Sequence, residues 1–218
     1  MVKKVYINIG HSDTDPGAVG YERERDLNVK VANYQREHLL ANYVCEVRMN
    51  PGTLGKLADI ANDANKWGAN LFDSKHFNAG GGDGWEGLVY SQKNIAMGQI
   101  FEKHVKAAGQ NSRGVKIRTD LAVLRLTNMP AIINEGAFVD NKKDIQDWND
   151  DHELKKLGIA YAEADAEFLK LPKKAVAPKP DEDDVLYRVQ VGAYRDIKNA
   201  KEMVAKLKAA GFDAFVTK

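Results

Sequence analysis

The stretch Val5-Tyr-Ile-Asn-Ile-Gly-His11 places a histidine at the end of a short run of alternating apolar residues. The alternation puts three aliphatic side chains on one side of the chain, which is typical of a buried β-strand. The loop that follows, residues 12–20, is rich in Ser, Asp, Gly and Pro. His11 therefore lies where a buried strand meets a turn. It is either an ordinary polar residue at a strand end or a side chain that binds a metal ion.

Strands and helices alternate along residues 1–170. A helical stripe follows the first strand from Asp26 onward, with apolar positions three and four residues apart. Further strands are predicted at residues 43–47, 70–72, 88–90 and 131–133, and further helices at 57–64, 94–108 and 154–169. This order predicts an α/β catalytic domain whose central, mostly parallel sheet is flanked by helices. Ligands of such sheets collect at the carboxyl ends of the strands, where His11 lies.

The composition changes after Leu171. Residues 171–184 are rich in Pro, Lys and acidic residues without periodicity, which predicts an extended linker. Beyond it, strands are predicted at 186–191 and 214–216, around a helix whose stripe runs from Ile197 to Leu207. Residues 185–218 are thus expected to form a small α+β module of βαβ order.

Composition excludes several classes of function. The 218 residues carry a net charge of +1, which argues against nucleic-acid binding driven by bulk charge. Cys45 is the only cysteine, so the chain has no internal disulfide framework. No apolar run is long enough to cross a membrane, and the amino terminus lacks a signal-peptide pattern. We therefore expect a protein that is cytoplasmic at synthesis, without an integral membrane segment.

Two histidines and several acids are candidates for chemistry. His76 follows the strand predicted at 70–72, so it can converge with His11 at one edge of the sheet. A catalytic zinc site needs a third ligand, which Glu22 or Glu24 can supply, although acids at a helix start also complement its dipole. Glu135 follows the apolar strand 131–133 and is either a solvated loop acid or a catalytic base. Surface or packing roles are expected for the other histidines: His38, His104 and His152.

These residues carry a resemblance to the zinc-dependent N-acetylmuramoyl-L-alanine amidases of the Amidase_3 type, which cleave peptidoglycan. The matching motifs cover roughly residues 3–170 in order and include Gly10-His11, Asp15-Pro-Gly-Ala-Val-Gly20, Glu24-Arg-Asp-Leu-Asn28, Ser74-Lys-His-Phe-Asn78, Gly84-Trp-Glu86, Arg113-Gly-Val-Lys116 and Glu135-Gly-Ala-Phe138. The chain departs from the family at Lys75, where an apolar residue is usual, and in the residues after Glu135.

The resemblance implies one zinc ion per chain, bound by His11, Glu24 and His76, with Glu22 as the rival third ligand. Glu135 would remove a proton from the zinc-bound water and return it to the leaving amine. The bond cut would join N-acetylmuramic acid to the L-alanine of the stem peptide. The missing signal peptide favours a phage or prophage endolysin that acts on the wall after release, with a mother-cell lytic enzyme as a second option. A zinc peptidase of the stem peptide and a non-catalytic wall-binding protein are the alternatives.

The tail has its own resemblance. Tyr187-Arg-Val-Gln-Val-Gly-Ala-Tyr194 and the helix that follows resemble the start of SPOR domains, which bind peptidoglycan glycan strands. The segment has about half the length of that family. This implies a wall-binding module that pairs with a second copy, docks on the catalytic domain or is marginally folded.

Overall fold

A computed structural model describes residues 1–50, 52, 56–175 and 189–217 and divides the chain into two compact units, Met1–Ala175 and Val176–Lys218. In the first unit, six strands form one sheet: β1 (Lys3–Ile9), β2 (Cys45–Met49), β3 (Leu71–Asn78), β4 (Trp85–Val89), β5 (Ser112–Ile117) and β6 (Ala131–Phe138). The helices are α1 (Glu24–Asn42), α2 (Leu57–Trp67), α3 (Ile95–Ala107), α4 (Ala122–Leu126), α5 (Lys142–Gln146) and α6 (Asp151–Leu169), with a short 3-10 helix at Gln92–Asn94.

The strand order is β2-β1-β3-β6-β4-β5, and every neighbouring pair is parallel except β4 with β6. This confirms the predicted mostly parallel sheet flanked by helices. The antiparallel β4 has a functional consequence, because its first residues lie beside the carboxyl end of β6. The amino end of β4 therefore lies beside the carboxyl ends of the parallel strands, which is where ligands of such sheets bind.

The two faces of the sheet have different cores. Val5, Ile7 and Ile9 of β1 face one side, in a cluster with the buried side chains of α1, α3 and α6. Tyr6 and Phe72 face the other side, in a smaller cluster with residues of α2 and α4. Because α2 and α4 are shorter than α1 and α6, the second face has less helix to cover it.

The central strands are longer than predicted, and this corrects two placements. The prediction ended one strand at Phe72 and another at Ile133, but β3 continues to Asn78 and β6 to Phe138. His76 and Glu135 therefore lie within strands rather than after them. Three elements were not predicted at all: β5, α4 and α5.

The second unit contains one helix among its described residues, α7 (Ile197–Ala209), which confirms the predicted helix. The predicted strands are wrong where they can be compared: residues 189–191 and 214–216 are not in strands, and residues 186–188 lie outside the described residues. A strand needs a partner for its backbone groups, and a single strand–helix–strand segment supplies too few. The start of the predicted linker, residues 171–175, belongs to the first unit, where Val44 N–H donates to Pro172 O at 2.8 Å.

Within the described part of the chain, no helix combines the length and apolar character needed to cross a membrane.

Candidate metal centre

His11 lies just beyond β1 in a left-handed backbone conformation, with φ of +64°. This conformation is uncommon for a residue with a side chain and often occurs at functional sites. Its Nδ1 is 2.9 Å from Asp15 Oδ2, and its Nε2 is 3.0 Å from Glu24 Oε2. When Nδ1 donates to Asp15, the lone pair of Nε2 faces the glutamate and is available to a metal ion. Asp15 belongs to the turn motif, but the sequence pattern alone does not indicate this orienting role.

Glu24 is the first residue of α1, and its side chain is only 5% exposed. Its Oε1 is 2.7 Å from His76 Nδ1 and accepts from Phe77 N–H at 3.2 Å. Its Oε2 accepts from Ala18 N–H at 2.8 Å. Burial alone would raise the pKa of Glu24, but the contacts with the two histidines outweigh it and hold the pKa well below its ordinary value. The carboxylate is therefore ionised at neutral pH.

The three side chains converge on one point. One ligand atom from each of His11, Glu24 and His76 lies within 4.8 Å of the other two, and the imidazole centroids are 5.1 Å apart. A Cβ on Gly10 would lie 2.5 Å from the His76 ring, and one on Gly17 would lie 2.5 Å from Glu24 Oε2. Only glycine fits against the ligands at these two places. Two imidazoles and a carboxylate form a donor set of catalytic zinc, which leaves one position open, so the residues fit that ion.

Glu135 lies beside this cluster. In the strand register it is directly opposite His76 of β3 on one side and Glu86 of β4 on the other. Directly paired residues point to the same face of a sheet, so the three side chains form a row. Burial raises the pKa of Glu135 to about 7, and the carboxylates of Glu24 and Glu86 add to the rise. Such a carboxyl group can take up and release a proton near neutral pH.

The row continues onto β5. Glu86 is buried, and its Oε1 accepts from Arg113 Nε and from Lys116 Nζ, the latter at 2.6 Å. Burial raises the pKa of Glu86, but the hydrogen bonds from both cations lower it further than burial raises it. The single carboxylate of Glu86 is therefore paired with two cations. The guanidinium of Arg113 also lies 5.2 Å from the Phe138 ring centroid.

A fully buried polar network lies behind the row, on the opposite face of β3 and β6. Lys75 forms an ion pair with Asp73, and both side chains are at most 1% exposed. Gln35 Nε2 donates to Asp73 Oδ2 at 2.7 Å and to Asp165 Oδ2 at 2.6 Å. Asn134 Nδ2 donates to the other oxygen of Asp73 at 2.7 Å. Lys75 and Asn134 immediately precede His76 and Glu135, so this network joins the two strands directly behind the candidate site.

The structure separates the alternatives for the other predicted residues. Glu24 joins the cluster, whereas Glu22 lies 3.4 Å from Asn149 Nδ2 instead. His38 contacts Glu163 at 2.7 Å, and His104 contacts Glu167 at 2.8 Å. The His152 side chain is 79% exposed. In the described ranges, the His11 cluster is the sole group of three or more such side chains close enough to hold a metal ion.

Comparison with known proteins places this chain in a family. The N-acetylmuramoyl-L-alanine amidase family (Amidase_3) matches residues 5–165, and the SPOR domain family matches residues 160–218. The chain belongs to the N-acetylmuramoyl-L-alanine amidase family. It is thus a peptidoglycan hydrolase, and the predicted enzyme class is confirmed.

Named relatives agree with this assignment. The chain is 33% identical to N-acetylmuramoyl-L-alanine amidase CwlM of Bacillus licheniformis, over 98% of this chain and 84% of the relative. It is 30% identical to the sporulation-specific N-acetylmuramoyl-L-alanine amidase of Bacillus subtilis, with the same coverage. The endolysin of Bacillus phage SPP1 is 32% identical, over 84% of this chain and 72% of the relative. Among solved structures, the catalytic domain of the amidase CwlV from Bacillus (Paenibacillus) polymyxa superposes with a TM-score of 0.73 at 27% identity. That match covers 78% of this chain and 100% of the CwlV domain.

Proposed function

We propose that the protein is a zinc-dependent amidase that cuts between N-acetylmuramic acid and L-alanine, with one zinc ion per chain. His11, Glu24 and His76 hold the metal in this proposal, and Glu135 is the general base and acid. The observation that carries it is the convergence of two imidazoles and a buried carboxylate beside a carboxyl group on the neighbouring strand. Zinc, when bound, supplies Lewis acidity that polarises the scissile carbonyl and lowers the pKa of the attacking water.

Each protein side chain has a defined task in this reaction. Asp15 orients His11, and the backbone amides of Ala18 and Phe77 orient the Glu24 carboxylate, so the ligands are held before the metal arrives. Glu135 accepts a proton from the attacking water as the water oxygen bonds to the carbonyl carbon. It then donates this proton to the L-alanine nitrogen as the carbon–nitrogen bond breaks. Burial raises the pKa of Glu135 to about 7 in the metal-free protein, which brings its proton exchange towards neutral pH.

The test is a digest of purified peptidoglycan by the zinc-loaded protein, analysed by mass spectrometry. New amino termini on L-alanine with intact glycan support the proposal. Cuts within the stem peptide would instead identify the alternative peptidase, and an absence of cuts would favour the non-catalytic wall-binding alternative. Metal analysis of the same sample should give about one zinc per chain, and metal-free protein that still cleaves would contradict the zinc mechanism.

The cellular setting is a further part of the proposal. The two settings to separate are a phage endolysin and a mother-cell lytic enzyme, and the relatives include a phage endolysin and a sporulation-specific amidase. We infer the endolysin role from the similarity to the endolysin of Bacillus phage SPP1, which extends over 84% of this chain. Timed expression separates the two settings: transcripts that appear with phage genes support the endolysin, and transcripts confined to sporulation would contradict it.

We also propose that the carboxyl-terminal unit binds the wall and associates with a second copy of itself. Several of its apolar side chains are largely exposed, namely Val189, Val191, Phe212 and Phe215. Exposed apolar groups of this kind favour contact with a partner. Sedimentation at several protein concentrations tests the self-association, and a monomer at every concentration would contradict it.

A further inference from the structure

The row of charged side chains does not end at the catalytic residues. It runs from His76 on β3 across Glu135 on β6 and Glu86 on β4 to the basic side chains of β5. We propose that Arg113 and Lys116 form a subsite for a carboxylate on the peptide side of the cleaved bond, carried by the second residue of the stem peptide. This inference rests on the proposed function, since it concerns the substrate of the same site.

Charge is the first argument. Glu86 is one buried carboxylate, yet it accepts hydrogen bonds from two cations through a single oxygen. One cation would neutralise it, so the group retains one positive charge beside the candidate catalytic residue. The side chains of Arg113 and Lys116 are 42% and 45% exposed, which leaves both open to a ligand. A positively charged surface of this kind attracts an anionic group of the substrate.

The free donors are the second argument. Arg113 contacts Glu86 through Nε, and among the described residues neither of its Nη groups has another acceptor. A guanidinium presents donors in a planar fork that matches a carboxylate. Lys116 uses one of three N–H groups on Glu86. Arg118, also near this strand, differs because Nε and Nη2 both donate to Asp120, at 2.8 and 2.7 Å, so its fork is occupied.

Direction is the third argument. Glu135 gives its proton to the leaving nitrogen, so the peptide departs from the Glu135 side of the metal ligands. In the row, that side leads to β4 and β5. β5 is two strand spacings from β6, about 10 Å, and an extended peptide advances about 3.4 Å per residue. A carboxylate on the second residue therefore lies within reach of the long side chains of Arg113 and Lys116.

Glu86 is a positioning residue in this arrangement. It holds both cations by one oxygen, and the ring of Phe138 lies against the Arg113 guanidinium. These contacts reduce the conformational freedom that the cations would lose on binding a ligand. The subsite is therefore partly organised before substrate arrives.

The test uses two disaccharide muropeptides that differ at one group, a free carboxylate or a carboxamide on the second peptide residue. The zinc-loaded full-length protein should cleave the carboxylate form with kcat/KM about tenfold higher, mainly through a lower KM. Lys116→Met should reduce this preference severalfold, while Arg113 still pairs with Glu86. Lys116→Arg should restore the preference, because it keeps the charge. Lys106→Met is the matched control, since this exposed lysine of α3 lies on the opposite face of the sheet and pairs with Glu102.

Binding of the released peptide can be measured independently of turnover. Calorimetric titration with the released peptide should show tighter binding of the acidic form to the wild-type protein than to Lys116→Met. Equal cleavage of both substrates by the wild-type protein would overturn the subsite and leave the amidase function intact. A preference for the carboxylate substrate that is unchanged in both single variants, Lys116→Met and Arg113→Met, would also overturn the subsite. Failure to cleave either substrate would instead refute the proposed function on which the subsite depends.

Discussion

Replacing Lys75 by Met isolates the buried charges behind the candidate site. Met keeps most of the length of the side chain but removes the ammonium group, and Asp73 is then an ionised group with no cation in contact. Both side chains are at most 1% exposed, so water cannot compensate for the loss. Breaking such a buried pair costs about 3–5 kcal/mol of unfolding free energy, a large share of the stability of an ordinary domain.

The double variant Asp73→Asn/Lys75→Met removes both charges. The amide oxygen of the new residue can still accept from Gln35 or Asn134, whose donors are 2.7 Å from the present carboxylate oxygens. We expect this variant to lose only about 1–2 kcal/mol, which is about 2–3 kcal/mol less than the loss in Lys75→Met alone. Charge removal at both positions is therefore less costly than removal of the cation alone.

Urea unfolding measures these free energies by tryptophan fluorescence, since one of the three tryptophans, Trp85, is fully buried and bonds to Asn134 of the network. A slope of about 2–3 kcal/mol/M converts the single-variant loss to a fall in midpoint of about 1–2 M. Lys30→Met is the control, because Lys30 and Asp151 form an exposed pair whose loss should change stability by less than about 0.5 kcal/mol. The reasoning is refuted if the double variant is as unstable as the sum of the two single variants, or if Lys75→Met costs no more than the control.

Four further predictions concern the site and the tail. Glu135→Gln should lower hydrolysis about 10²- to 10⁴-fold in a wall-clearing assay while metal analysis still finds zinc; loss of the metal as well would contradict a purely catalytic role. Chelation should abolish hydrolysis and added zinc should restore it, and activity that persists in the chelated protein would exclude the metal mechanism. Contacts with Glu24 and Asp15 raise the pKa of His11 to about 9 against burial, so metal-free protein should be stabilised most below pH 6.5 and lose about 1–2 kcal/mol as pH rises through 9, since solvent screens this half-buried group. Zinc-loaded protein should show the opposite trend because the ligands must be deprotonated, and parallel pH curves would refute this. Truncation after Ala175 should weaken sedimentation with purified walls but spare turnover of soluble muropeptides; unchanged sedimentation would refute the binding role of the tail.

Periodicity was sufficient to predict most of the first unit, because its helices and the cores of its central strands bury regular apolar side chains. It failed where β3 and β6 continue through polar residues. Asp73 and Lys75 end the apolar alternation in the sequence, and their burial is possible only because Gln35, Asn134 and Asp165 come from distant parts of the chain. No local pattern contains that compensation. β5 was missed for a related reason, since Arg113, Gly114 and Lys116 have the composition of a loop, yet the strand is needed to complete the sheet edge.

The family resemblance favoured Glu24 as the third candidate ligand and left Glu22 as its rival. The residue pattern alone does not separate these two acids, and the difference in structure is that α1 begins at Glu24. The tail illustrates the opposite case. Its alternating residues favour strands by local preference, but the strand conformation depends on hydrogen-bond partners that a pattern cannot guarantee. Local propensity is therefore a good guide only where tertiary partners agree with it.

The position of β5 at the edge of the sheet affects which polymers the enzyme can process. No further strand of the described sheet lies beyond β5, so the row of charged side chains ends at an open border instead of a wall. A peptide that runs along the row can therefore continue past the protein while still joined to a neighbouring glycan chain. Such a border suits a substrate that is a cross-linked mesh, because the mesh offers few free peptide ends. The same open border would let the peptide product leave past β5.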